Sequence, residues 1–210
     1  MFPHSKTSVG LAWLLSVGLW PGMTSAQLLG AMATAAVEEV GAQKVGGYVG
    51  ITDDFISLTG QVRYGVASSF DLGAKVSFVD FESPVGSSLG LNADGRVQIL
   101  DVFLQDPLDL AVGPEVTYFR AGGVTNWFFG GYVALSKEFL LENGKALTPY
   151  GRVGVRLRRV ETDLADRDDV DAGVSAGLEY AIAGYTTVWG EMMFEDAGTG
   201  VHIGFQYELR

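Results

Sequence analysis

From Lys44 to the end of the chain the hydrophobic period is two. Ile56, Leu58, Val62, Tyr64 and Val66 alternate with Ser57, Thr59, Gln61 and Arg63. Phe70, Leu72, Ala74, Val76 and Phe78 alternate with Asp71, Gly73, Lys75 and Ser77, and the dyad returns through 91–99, 108–118, 147–157, 174–180 and 201–209. Such a period gives a segment one apolar and one polar face as a strand, and no single face as a helix. Ten runs carry it: about 44–51, 55–66, 70–79, 89–99, 107–119, 125–137, 147–160, 172–180, 185–195 and 199–209. Between them stand turn signals such as Thr52-Asp53-Asp54, Ala67-Ser68-Ser69, Glu142-Asn143-Gly144 and Ala183-Gly184. The connections are too short for parallel crossovers, so the expectation is an all-β antiparallel meander closed into an up-and-down barrel of ten strands. Eight is the alternative if the first two runs do not both span, since KVGGYVGI alternates poorly.

One face of these runs is nearly free of charge, as in Leu108, Leu110, Val112, Val116 and Tyr118, or Val201, Ile203, Phe205, Tyr207 and Leu209. The other collects Arg63, Lys75, Arg96, Arg152, Arg156 and Arg158 against Asp71, Asp94, Asp109, Glu115, Glu179, Glu191, Glu195 and Glu208. Alternation alone does not say which face is inside. The aromatics do: on the apolar face they gather at strand ends, with Tyr64, Phe70, Tyr180 and Tyr207 at one end and Phe78, Tyr118, Trp127 and Phe194 at the other. Two aromatic girdles are what a transmembrane barrel needs at its two interfaces, whereas a soluble core would concentrate them at mid-strand. The apolar face is therefore read as the lipid-facing one. Pro114, inside a run, is expected to mark a bulge, and Pro149 stands near a strand start, where its missing N–H is tolerated.

The N-terminus agrees with export. Lys6 precedes the apolar stretch Val9–Trp20, Pro21-Gly22 breaks it, and Thr24-Ser25-Ala26 offers small residues for cleavage. The stretch is shorter than the ~20 residues that span a bilayer as a helix, so residues 1–26 are read as a signal peptide. Residues 27–43 fit neither signal nor strand. Leu28, Leu29, Met32, Ala36 and Val40 would share one stripe of a short helix, in a periplasmic or lumen-entering segment. The chain has no Cys, which removes disulfides, thiolate metal sites and a Cys nucleophile. Its net charge of −11 argues against nucleic acid as a partner. Its 29 glycines show no Gly-X-Y period, and 48% apolar residues are too many for disorder.

Arg63-Tyr64-Gly65-Val66-Ala67-Ser68-Ser69-Phe70-Asp71-Leu72-Gly73 looks like a tight periplasmic hairpin, and Leu147-Thr148-Pro149-Tyr150-Gly151-Arg152-Val153-Gly154-Val155 like a barrel strand. On these, and on the last strand, residues 44–210 resemble the small bacterial outer-membrane β-barrel proteins. The resemblance implies that Phe205, Tyr207 and Leu209 form the C-terminal assembly signal, with Leu209 where an aromatic usually stands and Arg210 beyond it. It implies outer-membrane lipids, lipopolysaccharide and the barrel-assembly machinery as partners, and a monomer. It is specific for architecture only, because this fold hosts porins, enzymes, adhesins and inert anchors.

Candidate chemistry is sparse. Beyond the leader the one histidine is His202, which as a general base would be oriented by Glu191 or Glu195. No His-x-Ser or Asn-His-Ser arrangement accompanies it, and Ser136 and Ser175 read as ordinary strand serines. The run Glu161, Asp163, Asp166, Asp168, Asp169, Asp171 reads as an acidic loop that lacks the glycine and closing glutamate of a calcium loop. The row Arg152, Arg156 and Arg158 would line an anion-selective constriction in an open pore. In a closed barrel it pairs with Glu179 on the following strand and with Glu115, Glu191 and Glu195. A ten-stranded barrel is only slightly wider than the eight-stranded size that side chains fill, and Phe128, Tyr132, Trp189 and Met193 also point inward. The sequence is thus read as a closed, ion-paired barrel with a structural or interaction role, without catalysis, metal or cofactor. A narrow pore for small solutes is the alternative, and a lipid-modifying enzyme a remote one.

Overall fold

The computed structural model describes residues 32–81, 86–162, 166–195 and 198–209. Ten long strands carry the fold: β1 (Gln43–Thr52), β2 (Phe55–Ala67), β3 (Phe70–Phe81), β4 (Ser87–Leu100), β5 (Asp109–Ala121), β6 (Val124–Ser136), β8 (Ala146–Glu161), β9 (Asp166–Ala183), β10 (Thr186–Glu195) and β11 (Gly198–Leu209). β7 (Phe139–Leu140) is a two-residue ladder folded against the start of β8. Every neighbour is antiparallel, β6 pairs with β8, and β1 pairs with β11 along its whole length from Gln43↔Leu209 to Thr52↔Gly200. The ten long strands therefore close into a transmembrane barrel in which each pairs on both sides, the solution that lipid imposes on strands.

The barrel is inverted relative to a soluble one. Ile203, Val170 and Leu58 are more than 60% exposed on the outer wall, while Arg63, Arg96, Asp71 and Glu191 are 3% or less exposed inside. Among the described residues the outward-facing charges on the strands, Asp80, Arg120, Arg159, Glu161 and Asp168, all lie at the end of the barrel away from the chain termini. This far end has short connectors, none above five residues, whereas the terminal end carries the longer 101–108 and 137–145.

Three expectations are corrected. Residues 32–42 form no helix but an irregular extended segment, and its stripe of Met32, Ala36 and Val40 is not gathered on one face. Wall side chains satisfy its backbone in place of helical bonds, as described below. The acidic run is not one loop: β8 reaches Glu161 and β9 begins at Asp166, which sets Arg156↔Asp171, Arg158↔Asp169 and Arg159↔Asp168 across the ladder. Opposed charges on adjacent strands favour pairing, so the hairpin extends past the apolar runs. Pro114 makes no bulge. β4–β5 pairing lapses between Asp94↔Glu115 and Val97↔Val112 with register unchanged, and the shift comes later, between Gln98 and Leu100. At the lapse, the hydroxyl of Tyr132 donates to the Gly95 carbonyl at 3.3 Å. The signal peptide, Leu28 and Leu29 lie outside the described residues.

Candidate functional site: the barrel lumen

Along each strand the inward positions are the polar ones, so the lumen is built from one side chain in two on ten strands. Three layers fill it. At the far end Phe55, Val79, Phe81, Phe119, Ala121 and Phe128 form a buried apolar lid, with Phe55 and Phe81 edge to face at 5.7 Å and Phe119 stacked on Phe128 at 6.0 Å. Below the lid lies the ion-paired middle. Asp71 pairs with Arg63 at 2.5 Å and with Arg96, and Arg63 pairs also with Asp94 at 2.6 Å. Glu115 pairs with Arg152 and lies 3.8 Å from Arg156, which bonds Glu195 at 2.8 Å. The Arg152 guanidinium stacks 3.7 Å over the Tyr132 ring, whose hydroxyl donates to Asp94 at 3.0 Å and so joins the two groups. Toward the terminal end, residues 32–38 cross the lumen as a strap.

The strand glycines explain how these partners meet. Arg63 on β2 and Asp94 on β4 are separated by β3, but the residue between them in register is Gly73, where a Cβ would lie 2.5 Å from both side chains. Glu115 and Arg156 likewise bracket Gly130 of β6, and Tyr150 reaches over Gly177 of β9 to donate to Glu191 at 2.8 Å. Cβ atoms at Gly130 and Gly177 would overlap Arg156 and Tyr150. Gly73, Gly130 and Gly177 are thus saddles, each letting side chains two strands apart touch across a strand without a side chain.

A fourth saddle was not legible from sequence. His202 on β11 and Ser57 on β2 bracket Gly50, where a Cβ would overlap the imidazole and lie 2.6 Å from Ser57 Oγ. Glu191 is opposite His202 on β10. Glu, His and Ser therefore share one level of the wall, brought together because barrel closure sets the last strand beside the first. The group is not assembled as a relay: neither imidazole nitrogen nor Ser57 Oγ has a hydrogen-bond partner among the described residues, and Glu191 accepts from Tyr150 and the Met32 N–H. All three residues are 2% exposed or less.

The other sequence candidates are placed as follows. Arg158 bonds the Asn126 amide oxygen at 3.2 Å. Glu179 does not meet the arginines of β8: its register partners are Thr148 and Trp189, below the arginine row. Lys75 is buried, opposite Gln61 and Asn92 in the ladder. Tyr64, Phe70, Tyr180 and Tyr207 sit outward at the terminal end, and Phe78, Tyr118, Trp127 and Phe194 outward at the far end. Trp127 touches Tyr118 at 4.7 Å and Phe129 at 5.8 Å. Phe205, Tyr207 and Leu209 face outward on β11, and the Phe205 ring lies 3.8 Å from where a Cβ on outward Gly47 would stand. Glu38 and Ser136 are the partners the sequence reading missed: Glu38 pairs with Lys44 at 2.9 Å, and Ser136 accepts from the strap. Among the described residues no cluster of His, Asp and Glu could hold a metal ion.

No protein family known from sequence matches the chain, and no curated protein does. Solved structures do. The β domain of the Bordetella autotransporter BrkA is similar over 81% of this chain and 100% of its own, at 12% identity and a TM-score of 0.53. The KdgM porin is similar over 80% of this chain and 99% of its own, at 11% identity and a TM-score of 0.42. The N-terminal β-barrel domain of Pseudomonas aeruginosa OprF covers 82% of this chain and 100% of its own, at 10% identity and a TM-score of 0.37. The shared feature is the fold, an outer-membrane type of β-barrel.

Proposed function

We propose that the chain is a monomeric barrel of the bacterial outer membrane with a closed, ion-paired lumen, serving a structural or interaction role and no catalysis. The observation that carries this reading is the continuous filling of the lumen: apolar lid, paired charges, strap. A ten-stranded wall encloses more than its side chains readily fill, and the strap takes up the surplus. Residues 1–26 act as the export signal, and the even strand number leaves both ends of the mature chain in the periplasm. The two aromatic sets then sit at the two membrane interfaces, among outer-membrane lipids and lipopolysaccharide, and Phe205, Tyr207 and Leu209 present the outward pattern read by the barrel-assembly machinery. The short far-end connectors offer little surface for adhesion outside the cell, so an interaction role falls to the periplasmic end.

Proteoliposome swelling tests the reading. Vesicles carrying the refolded protein are expected to swell in small sugars no faster than empty vesicles. Swelling that tracks protein content would replace the closed barrel by a narrow pore.

A further inference from the structure

The strap is held in an unusual way. Its amides are bonded one by one by side chains of the wall: Met32 N–H to Glu191 at 2.9 Å, Ala35 to Ser136, Val37 to Gln98 and Glu38 to Asp71, each at 3.0 Å. Its carbonyls are met as well. Gln206 and Gln61 donate to the Met32 oxygen at 3.3 and 3.5 Å, and Arg96 donates to that of Thr34. Seven side chains on six strands converge on one short stretch of backbone. Backbone contacts read extension rather than sequence.

Sequence is read at three points, three residues apart. Met32 fills a pocket of Tyr48, Tyr150 and Trp189. Ala35 packs against Ala111, Ala134 and Tyr132, with no exposed surface left for a longer side chain. Glu38 meets Lys44 and, at 3.8 Å, Arg96. Beyond it the segment leaves over Gly65, whose N–H and C=O pair with Ala42 and Gly41, and where a Cβ would overlap the Glu39 carbonyl.

We propose that the terminal-end half of the lumen is a binding site for an extended peptide, with an apolar residue, then a small one, then an acid at intervals of three, and that residues 32–38 are the ligand it carries in cis. The lid residues form a cluster separate from those around Met32 and Ala35, so the site lies on the chain-terminal side of the lid. This goes beyond the closed-barrel reading, which asks only that the lumen be full. A tethered strap acts at an effective concentration on the order of millimolar, so an outside peptide gains access only when the strap is displaced.

The test uses the full chain. Ala35→Pro with Val37→Pro removes two of the bonded N–H groups, and Gly65→Val crowds the strap's exit while leaving the strap's own sequence unchanged. Heat-modifiable gel mobility identifies the folded barrel in each preparation. A fluorescein-labelled, C-terminally amidated peptide of residues 32–38, which stops before the Glu39–Ala42 stretch that passes over Gly65, is expected to bind the folded variants saturably, and wild type at least about tenfold more weakly. The same peptide with Glu38→Lys or Ala35→Trp is expected to lose at least about tenfold in affinity on the variants. Failure of every folded variant to bind the natural peptide, or equal binding of the altered peptides, overturns the proposal. Conductance of the same preparations separates this from the closed-barrel reading: a conducting wild type would contradict the latter while leaving the peptide result to stand.

Discussion

A charged side chain on this barrel has a cost set by the parity of its position. Ile203 faces lipid near the middle of β11, 64% exposed, so Ile203→Arg is expected to lower stability by about 2–4 kcal/mol in denaturant unfolding from vesicles. A cost near zero would mean that this wall does not face hydrocarbon. Inside, the sensitive positions include those with no side chain. Gly73→Ala would push the Arg63 guanidinium from Asp94, leaving Arg63 to Asp71 and Asp94 to the Tyr132 hydroxyl, a loss of roughly 1–3 kcal/mol. Gly60→Ala, on the outer face with its nearest contact at 3.7 Å, is expected to be nearly neutral. Equal effects would refute the saddle role of the lumen glycines. Parity made the inward set legible in the sequence: Arg63, Lys75, Arg96, Glu115, Arg152, Arg156, Arg158, Glu191 and Glu195 all point into the barrel. Pairing was not legible. It depends on which residue lies two strands away in register, and that follows from shear and closure rather than from spacing along the chain. Glu179 was therefore assigned to arginines it does not meet, and Ser57 went unnoticed beside His202. Gln98 shows the same limit. Its parity in the 91–99 run points it into the lumen, but spacing along the chain does not show that it accepts from Val37 and donates to Asp109 at 3.1 Å.

At the scale of elements, period two located all ten long strands, including β1, whose weak alternation hid a real strand. The glycines that weaken its pattern, Gly46 and Gly50, make room for Tyr48, Gln206 and His202. Charge misled the reading of β9, because a run of aspartates resembles a loop until the arginines of β8 are set opposite. Reversing that charge should undo it: Asp169→Lys with Asp171→Lys is expected to fray the far end of the β8–β9 hairpin. The fraying would appear as faster protease cleavage between β8 and β9, with the heat-modifiable barrel retained. Unchanged cleavage would show that backbone pairing alone holds this arm. The strap was hidden for a related reason. An apolar stripe at helical spacing predicts a helix only when no better partners exist for the amides, and Glu191, Ser136, Gln98 and Asp71 are such partners.

For the whole molecule, the three layers of the lumen make two separate barriers. On the proposed reading the aromatic lid closes the far end and the strap with its ion-paired surround closes the terminal end, so displacing the strap alone would open a pocket and not a passage. Steady current through the protein requires both barriers to be absent. Single-channel recording of the refolded wild-type chain in a planar bilayer therefore bears most directly on the closed lumen. The expected record is a flat baseline at incorporation levels confirmed by heat-modifiable mobility. Discrete, stable conductance steps whose number grows with added protein would contradict it.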